Sequence, residues 1–494
     1  MTTLFPTLNN KNSAVALIEN NVLITYSDLN EKIDRFAKGL LGSESDLNEE
    51  RVAFFIPASE DYVTTLHGIW RAGGIAVPLN VASAVTELDH YLKSANVTRM
   101  IASGKYKESL KELCSELEVE LIDAQEILNR SQHKDLPAID QSRRAMMLFT
   151  SGTTSKPKGV VSTHAIISSQ ITTLIDAWEW TSSDVVPLFL PLHHIHGIIN
   201  ILSCGLWSGA TIDLYQNFDI TRVCASVAAE NYNVFMAVPT IYVKLIQHIC
   251  KLPSSEKDRI CAGFSSMRLN ISGSAACPVK LFNEWKALTS QTLLERYGMT
   301  EIGMGISNPY HGERRPGHVG QALPGVDIQL FDDEDNLIDA ENLAGEIRVQ
   351  GDNVFLEYWD NASATEESFI DGWFCTGDVA VLDNGYYRIM GRSSIDIIKS
   401  GGYKLSALEI EGTLLTHENI LEVAVLGTPD ETWGEAVTAF VVLKSASKLD
   451  YQDLKNWCDG RMSAYKVPKI LHIVESLPRN AMGKVTKVNL KDCQ

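Results

Sequence analysis

The sequence predicts an α/β protein, with a large N-terminal domain of helix and strand layers, a small β-rich subdomain, and a small C-terminal α+β domain. Three observations predict it. Helix-period and strand-period segments alternate through residues 1–145, which points to parallel strands covered by helices. Short strands separated by Gly, Asn and Asp crowd residues 317–391. A fresh strand–helix pattern then begins past residue 394.

The elements follow in order. Residues 26–41 read as a helix with Ser27 or Asp28 as its N-cap, 51–56 as a buried strand, and 62–71 as a second helix. Thr163 is placed to cap a helix reaching Ala177. The surroundings of Trp285 read as helix, and 292–295 as a short strand entering a loop. Segments 326–330, 346–349 and 386–389 read as strands of a small barrel or sandwich. Gly391-Arg-Ser-Ser394 reads as a linker. Beyond it lie a strand at 422–426, a helix at 451–459 and a strand at 470–474.

Composition narrows the function. The chain has 494 residues, 45% hydrophobic and 21% charged, with a net charge of -19. That balance excludes non-specific nucleic-acid binding and anionic membrane surfaces. A local basic pocket for a nucleotide remains compatible with it. Nine cysteines show no metal-ligand spacing and fit a reduced, cytoplasmic setting. Residues 1–13 lack a targeting pattern, and no apolar run is long enough for a membrane span.

The chemistry concentrates in a few segments. Leu148-Phe-Thr-Ser-Gly-Thr-Thr-Ser-Lys-Pro-Lys-Gly159 follows an apolar run with hydroxyls, glycines and two lysines. Such a loop suits polyphosphate: glycine lets the backbone approach, hydroxyls donate, and lysine neutralises. It is not a Walker A loop, because Lys158 precedes Gly159 and Val160 follows. In Arg296-Tyr-Gly-Met-Thr-Glu301, Tyr297 offers a face to a purine, Thr300 a donor, and Glu301 a hard oxygen ligand for Mg²⁺. Asp378 could accept from a ribose diol or simply hold a turn. Arg392 and Lys484 alone would read as surface charges.

Taken together and in order, these segments resemble the adenylate-forming superfamily of acyl-CoA synthetases, luciferases and peptide-synthetase adenylation domains. The resemblance spans nearly the whole chain. It is carried by the Thr150-Ser-Gly-Thr-Thr loop, Tyr297-Gly-Met-Thr-Glu301, Thr376-Gly-Asp378, Gly391-Arg392, Lys399-Ser-Gly-Gly402 and Asn480-Ala-Met-Gly-Lys484. It implies a two-step reaction with ATP, Mg²⁺ and coenzyme A. A carboxylate attacks the α-phosphorus, and a thiol then displaces AMP from the acyl-AMP.

The resemblance also implies roles. Thr150, Ser151, Gly152, Thr153, Thr154 and Lys158 would line the phosphates. Ser274, Ala275, Arg296, Tyr297, Gly298, Met299, Thr300, Asp378 and Arg392 would complete the nucleotide site, with Tyr297 on adenine and Asp378 on the ribose. Glu301 would bind the metal, and Lys484, Thr300 and Glu301 would be catalytic. Lys399, Ser400, Gly401 and Gly402 would meet coenzyme A. The domains would be 1–392 and 393–494, the second swivelling about residues 393–396 to present first Lys484 and then the 399–402 loop.

Within the family, Arg296 beside Tyr297 and Ser274 in Leu269-Asn-Ile-Ser-Gly-Ser274 resemble the malonyl-CoA synthetase branch. There the pair grips the far carboxylate of malonate. His194-Ile-His196-Gly resembles it too. His196, Ser274, Arg296 and Met304 are the implied acyl contacts. A buried guanidinium needs a counter-ion, and its planar fork fits a carboxylate. If Arg296 pairs instead with Glu295 or Glu313, it only shapes its loop. Lys244 is a second candidate cation or a surface lysine.

Three departures stand out: Ser155 where Gly is usual, His193 where Phe is usual, and Cys277 where Leu is usual. A short- or medium-chain acyl-CoA synthetase remains an alternative. So does a free-standing adenylation enzyme loading an acyl carrier protein.

Overall fold

The structure is a computed structural model and describes residues 5–9, 13–130, 135–150, 157–401, 403–445, 447–479 and 485–490. The candidates Ser151, Gly152, Thr153, Thr154, Gly402 and Lys484, and the departure at Ser155, lie outside the described residues. The chain forms two compact units. One comprises Met1–Pro316, Ala322–Asp327 and Gln350–Gly372; the other comprises Gly317–Gln321, Ile328–Val349 and Trp373–Gln494.

The first unit is α/β, as the alternation predicts. Its seven-stranded sheet runs Glu357–Tyr358, Lys158–Thr163, Arg144–Thr150, Ile75–Pro78, Arg51–Phe55, Arg99–Ala102, Glu120–Asp123. The last five are parallel, and the first two add antiparallel. A parallel core buried on both faces needs continuous apolar runs, and Val52, Ala53, Ile75, Val77, Met100 and Ile101 are buried.

The helix at Tyr26–Leu41 has the expected bounds, but its cap is Thr25, not Ser27 or Asp28. Thr25 accepts from the Asp28 amide, and Asp28 reaches back to the Thr25 amide. This is a capping box, in which the acidic residue belongs at the third helical position. Thr163 does cap the helix His164–Trp178, by accepting from the Ile166 amide at 3.2 Å.

A second sheet places Val234–Ala237, Leu269–Ser272 and Leu294–Met299 in parallel, with Gly303–Ser307 antiparallel to the last. Helices Pro239–Ile249 and Val279–Thr289 fix the middle strand. Tyr242 donates to the Ile271 carbonyl at 2.8 Å, and Trp285 Nε1 donates to Asn270 Oδ1 at 3.2 Å. The Tyr242 and Trp285 rings meet edge to face at 4.8 Å, a contact contributing about 1 kcal/mol beyond its area.

In the second unit, the greater part of Val326–Phe331 and of Gly345–Gly351 shares one sheet with Trp373–Asp383 and Tyr386–Arg392. The three longer β segments expected there are present, but as one sheet and not as two facing ones. Gly391 and Arg392, expected in a linker, close the strand Tyr386–Arg392, because Arg392 pairs in register with Asp378. The turn begins only at Ser393.

The C-terminal portion has its own sheet, Tyr403–Ser406, Ile397–Ser400, Gly434–Leu443, Ile420–Asp430, with Ile470–Ile473 parallel to Gly434–Leu443. The helices Ala407–Leu414 and Tyr451–Cys458 contribute Ile410, Leu414 and Leu454 to its buried core. Among the described residues, no helix is long and apolar enough to cross a membrane. The eight described cysteines are free thiols: Cys114, Cys204, Cys224, Cys250, Cys261, Cys277, Cys375 and Cys458.

Candidate active site

Ligands of open α/β sheets bind at the carboxyl ends of parallel strands. Ser272 lies opposite Glu295, so the next residues, Gly273 and Arg296, are neighbours. A Cβ on Gly273 would stand 2.6 Å from Arg296 Cζ, so only glycine leaves room for the guanidinium. Arg296 is 4% exposed. Its Nη2 donates to Ser274 Oγ at 3.3 Å, and its Nε is buried without a partner. Among the described residues, no carboxylate pairs with it; Glu313 pairs with Arg315 at 3.1 Å. Burial pushes the pKa of Arg296 down to about 9. The reading of Arg296 as a partner of Glu295 or Glu313 therefore fails.

Ser274 follows the strand with φ at 66°, a left-handed conformation that costs a non-glycine residue about 1–2 kcal/mol. It aims Oγ at two partners, Arg296 Nη2 and His196 Nδ1, the latter at 3.0 Å. The hydroxyl accepts from arginine and gives its own proton to Nδ1. That assignment leaves the His196 ring with its hydrogen on Nε2, which is buried and unpartnered. Burial, with Arg296 adding to it, holds the pKa of His196 well below the usual histidine value. The Arg296 Nε–H and the neutral His196 Nε2–H are thus both buried without an acceptor among the described residues. That is a demand for an anion. His196 opens a π-helix, His196–Ser203, a form concentrated at functional sites.

Tyr297 and Gly298 lie on the same strand, which turns through Thr300, Glu301 and Ile302 into Gly303–Ser307. A Cβ on Gly298 would meet the Gly303 carbonyl oxygen at 2.0 Å and Met304 Cε at 2.6 Å. Met304 is buried, Met299 and Thr300 are half-buried, and Ala275 is exposed. Gly298→Ala is expected to cost about 1–3 kcal/mol by overpacking and to lower the thermal midpoint. Gly412→Ala, where a Cβ meets nothing within 4 Å, should leave it unchanged or raise it. Equal midpoints for the two variants would show that the hairpin yields to the extra methyl group.

Glu301 is 5% exposed. Its Oε1 accepts from the Tyr358 hydroxyl at 3.0 Å, and its carbonyl accepts from the Phe355 amide at 2.7 Å. The Lys158 ammonium lies over the Tyr358 ring, 4.6 Å from its centroid. Lys158 pairs in register with Thr150, so both flank residues 151–156. Tyr358 was not anticipated from sequence. Nothing local marks it; its role follows from the pairing of Glu357–Tyr358 with Lys158–Thr163. Among the described residues, no three His, Cys, Asp or Glu side chains cluster as a metal cage. A single buried carboxylate nonetheless fits Mg²⁺, which keeps waters and shares substrate phosphates.

In the second unit, Asp378 and Arg392 face each other, Arg392 Nε lying 3.3 Å from Asp378 Oδ1. Lys399 is exposed and pairs with Asp333 at 3.3 Å. Ser400 is buried, and Gly401 has φ at 58°, where a Cβ would stand 3.0 Å from the Trp433 ring. Lys244 is exposed on its helix, which makes it a surface lysine. Burial pushes the Cys277 thiol up to about 12, which keeps it protonated and unfit as a nucleophile. Burial lowers the pKa of His193 to about 3, so that ring is neutral.

A tight strand hairpin, a lysine flanking residues 151–156 and a buried cation with no acidic partner among the described residues suit an enzyme that activates a carboxylate with a nucleotide. The family comparison places it further. Residues 5–359 match the AMP-binding enzyme family and 409–484 the AMP-binding enzyme C-terminal domain, and the chain belongs to that family. It is 40% identical to a mitochondrial malonate–CoA ligase of Bos taurus, over 96% of this chain and 87% of that one. The ATP-bound structure of MatB from Rhodopseudomonas palustris matches with TM-score 0.89 and 31% identity, over 99% of this chain and 98% of that one. An o-succinylbenzoate coenzyme A synthetase from Bacillus subtilis, in complex with ATP and magnesium ion, matches with TM-score 0.85 and 26% identity, over 99% of each chain.

Proposed function

We propose that this enzyme is a malonate–CoA ligase: it converts malonate and ATP to malonyl-AMP and pyrophosphate, then transfers the malonyl group to coenzyme A. The observation that carries the reading is the buried Arg296 guanidinium, unpaired with any acid among the described residues and linked through Ser274 to the neutral His196. One carboxylate of the substrate reacts; the other supplies the missing anion. Acetate would leave the cation unpaired, and methylmalonate would satisfy it equally.

On this reading Tyr297 stacks on adenine, with Ser274, Ala275, Gly298, Met299 and Thr300 around the nucleotide and Met304 against the acyl group. Asp378 and Arg392 hold the ribose. Thr150 to Thr154 and Lys158 hold the phosphates, and Glu301 is the Mg²⁺ ligand. Magnesium, when bound, neutralises charge on the phosphates. Lys484 stabilises the charge developing at the α-phosphorus. The domain boundary falls at residues 392/393, and 393–396 let the smaller domain present first Lys484 and then Lys399, Ser400, Gly401 and Gly402. Coenzyme A is the proposed thiol, with a carrier protein as the alternative acceptor. A cytoplasmic setting stays part of the proposal on the free thiols alone.

The test is AMP release with ATP, Mg²⁺ and coenzyme A against malonate, methylmalonate, succinate, acetate and octanoate. Malonate or methylmalonate should exceed acetate by about 10³-fold or more in kcat/KM, because the site's buried charge is otherwise unmatched. Preference for a monocarboxylate would overturn the substrate and return Arg296 to a structural role.

A further inference from the structure

A short strap of the first unit, residues 353–359, touches both the turn that bears Glu301 and the strand that bears Lys158. On the strand side, the Leu356 amide donates to the Val161 carbonyl at 2.9 Å, and the Trp359 amide donates to the Gly159 carbonyl at 2.8 Å. On the turn side, the Phe355 amide holds the Glu301 carbonyl and the Tyr358 hydroxyl holds the Glu301 carboxylate.

Asn353 opens the strap and is 1% exposed. Its Nδ2 donates at 2.6 Å to the carbonyl of Ile302, the residue after Glu301. A carbonyl can only accept, so the amide must turn its nitrogen that way. Oδ1 is then left buried with no partner among the described residues. A buried acceptor without a donor costs stability, and a side chain that merely filled the space would avoid that cost. What the asparagine supplies in return is its bond to the turn.

The asparagine is backed from a third element. Gln170, on the helix His164–Trp178, is buried, and its Nε2 donates to the Asn353 carbonyl at 2.9 Å. The same side chain lies against the turn: Gly303 has φ at 60°, and a Cβ there would stand 2.5 Å from Gln170 Cδ. Glu301 is therefore held at its own carbonyl, at the next carbonyl and at its carboxylate, all by residues of one strap. Such fixing matters for a small hard dication, which demands near-ideal octahedral geometry.

We propose that Asn353 is a positioning residue for the metal: through Ile302, and backed by Gln170, it fixes the Glu301 turn relative to the strand Lys158–Thr163, and so sets where the carboxylate meets the magnesium of the nucleotide. This rests on the metal role given to Glu301 above. Asn353 does no chemistry itself. Losing a residue that orients a metal ligand typically costs about 10–100-fold in metal affinity or activity.

The experiment uses the full chain and reads metal binding apart from turnover. Calorimetry with ATP, in EDTA and in excess Mg²⁺, gives the ratio of the two dissociation constants. Asn353→Ala should lower that ratio by about 10-fold and lower the kcat of malonate-dependent AMP formation, with the rise in thermal midpoint on adding malonate retained. Glu301→Gln should lower the ratio at least as much. Because Asn353 acts only through Glu301, the two losses should not add in the double variant. Gln170→Met removes the donor to the Asn353 carbonyl and leaves the Ile302 bond in place, so it carries the test if Asn353→Ala does not fold. It too should lower the ratio and add nothing to Glu301→Gln.

Losses that add to those of Glu301→Gln, or a wild-type ratio in the folded variants, would overturn the proposal. If Glu301→Gln lowers the ratio while the Asn353 and Gln170 variants do not, the positioning role alone is wrong. If Glu301→Gln leaves the ratio unchanged, the metal reading of Glu301 is wrong and the positioning role falls with it.

Discussion

Arg296→Ala should lower kcat/KM for malonate by about 10³-fold, leave the small activity on acetate within a few-fold, and not destabilise the protein. The first part follows from the cost of removing one partner of a buried charge pair, about 3–5 kcal/mol. The second follows because acetate never used the guanidinium. The third is the sharper test. Arg296 is buried with no acidic partner among the described residues, and its Nε is unsatisfied, so in the ligand-free fold its charge is a net cost.

The sign is consistent with the titration. Burial depresses the pKa of Arg296 from 12.5 to about 9, so the folded state disfavours the charged form. That penalty is complete below about pH 9 and fades only as pH climbs towards the unfolded value. At neutral pH, Arg296→Ala should leave the thermal midpoint unchanged or raise it while activity collapses. A fall in both midpoint and acetate activity would show instead that the arginine holds the strand Leu294–Met299 together. Malonate should raise the wild-type midpoint more than acetate, and the variant should lose that difference.

The sequence carried this site further than it carried the fold's joints. Arg296, Ser274 and His196 could be named because the short segments that carry them resemble motifs of a known family. Their mutual contacts depend on register: Ser272 opposite Glu295 is what brings Gly273 and Ser274 against Arg296. Register is a tertiary outcome, set by packing such as Trp285 on Asn270 and Tyr242 on Ile271, and no single segment encodes it.

The same limit explains the misplaced cap at Ser27 or Asp28. By residue type Asp28 reads as a cap, whereas the reciprocal bonds put Thr25 at the boundary. It also explains why Gly391 and Arg392 read as a linker, since they look like a turn until Val379 and Asp378 pair with them. Tyr358 is illegible for a further reason. Its partner Glu301 lies 57 residues away, and a tyrosine in isolation does not distinguish a core contact from a solvated one.

Glu301→Gln should lower malonate-dependent AMP formation by about 10²-fold or more and move the Mg²⁺ concentration for half-maximal rate upward, with the fold intact. The substitution keeps size and shape. A Gln oxygen can still accept from the Tyr358 hydroxyl, and the Glu301 carbonyl still accepts from the Phe355 amide. What is lost is one negative charge in a buried place, where it acts with little screening. A hard dication bound by one protein carboxylate and the nucleotide depends on that charge.

Tyr358→Phe separates holding from binding. It removes the hydroxyl that fixes Glu301 but leaves an aromatic face for the Lys158 ammonium. Its loss should be smaller, about 10-fold, the lower end of the worth of one hydrogen bond to a charged group, about 1.5 kcal/mol. If Glu301→Gln leaves the Mg²⁺ dependence untouched while Tyr358→Phe costs as much activity, Glu301 serves only to hold the turn between Leu294–Met299 and Gly303–Ser307. The metal's protein ligand must then be sought elsewhere.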